Sequence, residues 1–146
     1  MQINRATIAD LDDAAPLFDA YRQFYRQRSD VAAARAFLDE RLRRDESVIF
    51  LAVEDSKALG FTQLYPSFSS VSLKRLWILN DLFVGADVRR GGVGRRLLDR
   101  AREWAIETGA KGLVLATAVD NSRARALYES CGWRRDDEFQ HYYLFV

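Results

Sequence analysis

The most constraining feature of the chain is the run Leu79–Arg96, LNDLFVGADVRRGGVGRR. An apolar, strand-like stretch from Trp77 to Val84 breaks at Gly85. The glycine-rich segment Arg89-Arg90-Gly91-Gly92-Val93-Gly94 follows. A helical pattern then begins, with Val93, Leu97, Leu98, Ala101 and Ala105 spaced for one buried face. A strand that feeds a glycine turn opening a helix suits an anion. The first N–H groups of a helix have no partner inside it, and the positive end of the dipole lies there. Glycine lets backbone approach a phosphate without a Cβ in the way. Two common phosphate loops are excluded. There is no GxxxxGK[ST], and GxGxxG fails because its third glycine would fall at Leu97. What remains is Arg89-x-x-Gly92-x-Gly94. By itself this segment could be a plain turn ahead of a surface helix.

The rest of the chain reads as one mixed α/β domain spanning residues 1–146. Gln2 to Ala6 is a short strand. Leu11, Ala14, Ala15, Phe18, Tyr21, Phe24 and Tyr25 recur at helical spacing, with Pro16 either in the first turn or at a kink. Val31 to Arg44 is a second helix, capped by Ser29 or Asp30. Ser47 to Glu54 and Ala58 to Ser67 form a hairpin around the turn Asp55-Ser56-Lys57. Leu73 to Val84 is the next strand, and Gly92 to Thr108 the next helix, closed by Gly109. Gly112 to Ala118 is a further apolar strand. Asp120-Asn121-Ser122 caps a last helix ending at Gly132. A short strand at Trp133 and a final one over Phe139–Val146 complete the order β-α-α-β-β-β-α-β-α-β-β. The central strand–helix–strand unit implies parallel pairing there.

Composition narrows the function. A net charge of +1 gives no nucleic-acid footprint and no attraction to an anionic membrane. No apolar run approaches the ~20 residues of a membrane span. The single cysteine, Cys131, cannot form an internal disulfide and fits a reducing cytoplasm. It reads as a small apolar residue at a helix end. His141 has no Cys or His neighbours, so no metal is expected.

Three segments together resemble the GNAT family of acyl-CoA-dependent N-acetyltransferases, and the resemblance spans essentially the whole chain. They are Leu79–Val84 with Arg89-x-x-Gly92-x-Gly94, then Asp120-Asn121-x-x-Ala124-x-x-Leu127-Tyr128-Glu129 through Gly132-Trp133, and the aromatic terminus Phe139–Leu144. Within the family the chain looks closest to small single-domain members, the polyamine and small yeast-type histone acetyltransferases. The resemblance implies the GNAT fold, with a mixed sheet that splays at the cofactor strand.

It also implies acetyl-CoA as co-substrate, with no metal. The pyrophosphate would lie on Arg89, Arg90, Gly91, Gly92, Val93, Gly94 and Arg95. The pantetheine arm would run along Leu82, Phe83 and Val84 like an added strand. An N–H of Leu82 or Phe83 would hold the thioester oxygen. Asn121 and Ala124 would border the arm. The implied reaction is attack of a neutral primary amine on the thioester. Tyr128 would protonate the leaving thiolate, because a phenol of pKa ~10 carries its proton at neutral pH. Asp81 would order a water relay or attract a cationic substrate.

Each residue also has a structural reading. Tyr128 can be a core tyrosine, Asp81 can satisfy buried N–H groups, and Asn121 can be only an N-cap. Polyamine acetyltransferases carry a glutamate where this chain has Asn80, which argues against a polyamine acceptor. Tyr21, Tyr25, Asn80 and His141 are candidate substrate contacts. The expected acceptor is a small-molecule amine, with a protein lysine or N-terminus as the related possibility. A homodimer is expected through the aromatic C-terminal strand. The alternatives from other classes are a CoA-binding module without catalysis and an α/β domain without a cofactor.

Overall fold

The computed structural model describes residues 1–89 and 91–146. Arg90, one of the predicted phosphate contacts, lies outside them. The chain forms two compact units, Met1–Ala116 and Thr117–Val146.

The first unit holds a five-stranded sheet in the order β1-β2-β3-β4-β5. The strands are β1 (Gln2–Arg5), β2 (Val48–Glu54), β3 (Lys57–Ser69), β4 (Lys74–Val84) and β5 (Leu113–Val114). The first four are antiparallel neighbours, and β5 joins β4 in parallel. The β2–β3 turn places Asp55 and Ser56 at φ 48° and 61°, the positive values that a two-residue hairpin turn needs.

Helices α1 (Leu11–Phe24) and α2 (Val31–Arg43) cover one face of the sheet. A capping box starts the approach to α1: Ala9 N–H donates to Thr7 Oγ1, and Thr7 N–H donates to Asp10 Oδ2 at 2.7 Å. The helix continues through Pro16 without a break. Asp30 caps α2 by accepting from Ala33 N–H at 3.0 Å. Buried Asp19 fastens the connection between the two helices. It accepts from Ser29 Oγ and from Asp30 N–H, both at 2.7 Å. These bonds, the Asp30 amide first, hold its carboxyl below the usual range. Leu11, Ala14, Phe18, Ala34 and Leu38 pack there against Ile49, Leu51 and Phe61 of the sheet.

Helix α3 (Val93–Glu107) covers the opposite face and buries Val93, Leu97, Leu98, Ala101 and Ala105, the five residues given by the spacing. Its Trp104 ring lies 6.0 Å from both Phe50 and Trp77. Alternation along each strand therefore sends one set of side chains to α1 and α2 and the other to α3. Gly109 closes α3 at φ 67°.

In the second unit, α4 (Ser122–Ser130) is capped by Asn121, whose side chain accepts from Ala124 N–H at 3.2 Å. Gly132 follows at φ 87°. Ala124, Leu127, Tyr128 and Cys131 are half-buried along this segment, as is Asn121. Two predicted strands are not formed. Neither Trp133 nor Phe139–Val146 enters a ladder among the described residues, and residues 139–146 are exposed. A strand exists only with a partner for its N–H and C=O groups, and aromatic composition does not supply one. The predicted strand Gly112–Ala118 likewise shrinks to Leu113–Val114. No helix among the described residues is long and apolar enough to cross a membrane.

Candidate functional site

The site is organised by one irregularity in β4. Gln63 of β3 faces Asp81, but the next residue, Leu64, faces Leu79. Asn80 is thus an extra residue on β4, a β-bulge. Before the bulge, Trp77 points toward α3, where its Nε1 donates to Thr108 Oγ1 at 2.8 Å. Strict alternation would send Leu79 and Asp81 to the same side. The bulge shifts the phase by one residue, so Asp81 and Phe83 face α1 instead.

There Asp81 is 2% exposed and surrounded by donors. Gln63 Nε2 donates to Oδ2, Asn80 Nδ2 donates to Oδ1 at 2.9 Å, and the Tyr21 hydroxyl also bonds the carboxylate. Burial pushes the Asp81 carboxyl above its ordinary range, and the bonds from Gln63, Asn80 and Tyr21 oppose that shift without cancelling it. The Tyr21 hydroxyl also donates to the Asn80 carbonyl at 3.4 Å, and Thr62 Oγ1 donates to the Asp81 carbonyl at 2.8 Å. Side chains thus take up the carbonyls that the bulge pulls out of the ladder.

Tyr21 ties this carboxylate to an aromatic wall. Its ring lies 5.1 Å from Tyr25, 5.9 Å from Phe61 and 6.3 Å from Phe83. The predicted substrate residues Tyr21, Tyr25 and Asn80 therefore gather around Asp81. Tyr25 and Asn80 are exposed.

Beyond the bulge the sheet opens. Strand β5 pairs with β4 only at Trp77↔Leu113 and Ile78↔Val114. Strand β4 continues for six further residues, Leu79–Val84, bonded to β3 on one side. Its other edge is a row of backbone groups that an extended ligand can pair with. Leu82, Phe83 and Val84 are half-buried along it.

The strand then leads through Gly85 and a short 3-10 turn, Ala86–Val88, to the start of α3. Gly92 is the N-cap at φ 76°, a conformation costly to any residue with a Cβ, and it brings no capping side chain. The first intrahelical bond is Arg96 N–H to the Gly92 carbonyl. The amides of Val93 and Gly94 therefore point out of the positive helix end. Of the predicted backbone contacts, the Gly91 amide is already turned inward, donating to the Val88 carbonyl at 3.3 Å. The Arg89 side chain folds back along the strand. Its Nε donates to the Val84 carbonyl at 3.3 Å, and its guanidinium lies 5.9 Å from the Phe83 ring centre.

In the second unit, Asn121 caps α4, and Tyr128 packs its ring 6.1 Å from Trp133. His141 is exposed, 3.8 Å from Asp136. No group of three His, Cys, Asp or Glu side chains among the described residues is arranged for a metal.

Three residues of β3 escaped the sequence reading. Gln63, fully buried, holds Asp81 while its own Oε1 has no partner among the described residues. Tyr65 has its hydroxyl pushed up to about 12, by burial first and then by the Asp81 charge. Gly60 sits opposite Val84, and a Cβ there would stand 2.6 Å from the Phe83 carbonyl oxygen. The available signal was Thr62-Gln63, a polar pair inside an otherwise apolar strand.

Known proteins share this arrangement. Residues 14–133 match the Acetyltransferase (GNAT) family. The chain is 52% identical over 146 residues to YhfO, an uncharacterised N-acetyltransferase of Bacillus subtilis, covering 100% of this chain and 98% of that protein. It is 36% identical over 119 residues to a probable acetyltransferase of Haemophilus influenzae, covering 81% of this chain and 82% of that one. The crystal structure of a probable acetyltransferase superposes with a TM-score of 0.95 at 51% identity, over 100% of this chain and 98% of that one. The chain belongs to the GNAT family and is an acetyltransferase.

Proposed function

We propose that this protein transfers the acetyl group of acetyl-CoA to a primary amine, with a small molecule as the acceptor. The observation that carries the proposal is the continuity of one strand edge with one helix start. Past Ile78, no strand among the described residues pairs with this edge of β4 along Leu82, Phe83 and Val84, where the Val84 carbonyl accepts only from the Arg89 side chain, and the same chain then opens α3 at Gly92. The first suits the amide-bearing arm of CoA, and the second suits its pyrophosphate. Val93, Gly94 and Arg95 would supply amides, with Arg89 and Arg90 adding positive charge. The Gly91 amide is spent inside the turn, so its contribution is close approach.

In the proposed reaction the amine nitrogen forms a bond to the thioester carbonyl carbon. The C–S bond breaks, and the thiolate takes a proton. From the resemblance of its segment to the family, Tyr128 is the proposed donor, with Asn121 and Ala124 beside the arm. Asp81 is the proposed centre of proton removal from the amine. The raised affinity of its buried carboxylate for a proton supports that role. Tyr21, Tyr25 and Asn80 would contact the acceptor, with His141 as a further candidate. A homodimer is also proposed. The exposed Phe139, Tyr142, Tyr143, Leu144 and Phe145 form an apolar segment suited to pairing with a second copy. We propose the cytoplasm as the location, on the lone thiol of Cys131.

The first experiment is thermal unfolding with and without acetyl-CoA. At about 100 times its dissociation constant the ligand adds roughly 2.7 kcal/mol, or about 5–10 °C for a chain of this size. An unchanged Tm at high acetyl-CoA refutes the cofactor site. An amine panel read by thiol release then identifies the acceptor. Tyr128→Phe is expected to lower kcat while leaving the acetyl-CoA shift intact, and an unchanged rate removes Tyr128 from the mechanism.

A further inference from the structure

A cavity lies at the far end of α3. It has a volume of about 430 Å³ and lies between the end of β1, the starts of β2 and β4, and the last turn of α3. The glycine loop lies at the other end of this helix, about 22 Å away at 1.5 Å per residue. The size falls in the range of small-ligand sites, ~300–1,000 Å³.

The chemistry of its walls is selective. Two indoles, Trp77 and Trp104, pack against each other at 57° with their ring centres 6.0 Å apart and form one apolar wall. An arginine stacks on each. The Arg5 guanidinium lies 4.6 Å from the Trp104 ring, and that of Arg75 lies 5.3 Å from Trp77. Stacking occupies the face of a guanidinium and leaves its in-plane N–H groups available. Among the described residues neither arginine has a carboxylate partner, although arginines elsewhere on the chain do.

Two further polar atoms of the lining are buried without a hydrogen-bond partner among the described residues, Ser47 Oγ and Trp104 Nε1. Ser47 as a whole is 3% exposed. Buried polar atoms are nearly always partnered, so an orphaned pair on one cavity points to a group that enters it. The Trp77 N–H and the Thr108 hydroxyl are already bonded, to each other and to the Trp104 carbonyl. Asp45 is the single carboxylate in the lining. It disfavours a second negative charge on whatever binds.

We propose that this cavity binds a small planar carboxylate, a monoanionic acid on an aromatic or similarly flat ring. The carboxylate is held by the forks of Arg5 and Arg75. The ring lies flat against the wall that the two indoles form, and Ser47 Oγ and Trp104 Nε1 serve its remaining acceptors. The site is separate from acetyl transfer, so it stands or falls independently of the activity.

The test uses the full-length protein and the indole N–H signals of its three tryptophans, Trp77, Trp104 and Trp133. Benzoate is titrated to roughly millimolar concentration, where a single-carboxylate probe is expected to bind. Benzamide, its neutral isostere, and inorganic phosphate are run in parallel. Benzoate is expected to move the Trp77 and Trp104 signals saturably and to leave Trp133 in place. Benzamide and phosphate are expected to bind at least about tenfold more weakly.

Arg75→Gln is expected to cost about tenfold in benzoate affinity, and Ser47→Ala about fivefold. The undisturbed Trp133 signal and a cooperative melt report that each variant is folded. Should Arg75→Gln fail to fold, Ser47→Ala carries the comparison. The proposal is overturned if benzoate moves neither cavity signal, if benzamide or phosphate binds as well as benzoate, or if folded variants bind benzoate like the parent chain.

Discussion

Gly60 tests whether the spacing of β3 and β4 sets the edge proposed to hold the cofactor. A Cβ at this position would lie 2.6 Å from the Phe83 carbonyl oxygen and 3.2 Å from the Val84 Cα. Both are backbone atoms, so no side chain can rotate away. Ordinary carbon–oxygen contact needs roughly 3.3 Å, so β4 must move by about 0.7 Å in Gly60→Ala. Overpacking of this kind costs about 1–3 kcal/mol, a fall in Tm of about 3–10 °C at this chain length. The displaced residues are Phe83 and Val84, two of the three proposed to carry the pantetheine arm. The KM for acetyl-CoA is therefore expected to rise by about three- to tenfold, since one misaligned hydrogen bond is worth about 1 kcal/mol. Gly112→Ala is the control, because a Cβ there meets nothing within 4 Å. Thermal melts and steady-state kinetics on the two variants make the comparison. If Gly60→Ala matches Gly112→Ala in both Tm and KM, the close approach does not set the edge.

Burial holds the Asp81 carboxyl above its ordinary 3.8, so the folded state binds that proton more tightly than the unfolded chain. The stability this group contributes is complete in acid below 3.8 and is lost as pH rises through the raised value. Asp81→Asn should therefore gain stability on the parent chain over that rise, read by melts across pH, and parallel curves would refute the assignment. Gln63 can turn its unpartnered Oε1 toward the new amide, so Asp81→Asn should fold. Asp81→Leu, which strands the Gln63 amide, should lose about 1–3 kcal/mol in a denaturant titration. Leu73 is 92% exposed at φ 52°, so Leu73→Asn should gain about 0.5 kcal/mol by better tolerating that backbone. An unchanged or lowered Tm would contradict this.

Much of the fold was legible because burial imposes a period. The five buried residues of α3 follow the spacing read from sequence, and Gly109 and Gly132 end their helices with the positive φ expected of them. What was hidden depends on pairing. The aromatic terminus has strand composition but no ladder, and β5 pairs with β4 over two residues only, where the composition reads as strand as far as Ala118. The candidate site was half legible. Tyr21, Tyr25, Asn80 and Asp81 were named from sequence, and their meeting was not. The Tyr21 hydroxyl reaches Asn80 across 59 positions, and nothing local in Leu79-Asn80-Asp81 announces a bulge. Gln63 and Gly60 matter through what lies across the ladder, which a single strand does not encode.

The bulge at Asn80 acts as a change of parity. Up to Leu79, β4 presents its odd-numbered residues to the α3 core. After the bulge, the odd-numbered Asp81 and Phe83 belong to the opposite layer. One strand therefore serves two masters, with a single uncounted residue between them. The lower half can vary with the demands of a dry core, and the upper half with those of a buried carboxylate. Straightening the bulge with Asn80 kept in the ladder would exchange the two layers for every position that follows, setting Asn80 opposite Gln63 where Asp81 now stands, whereas deleting Asn80 would leave each later residue on its present face.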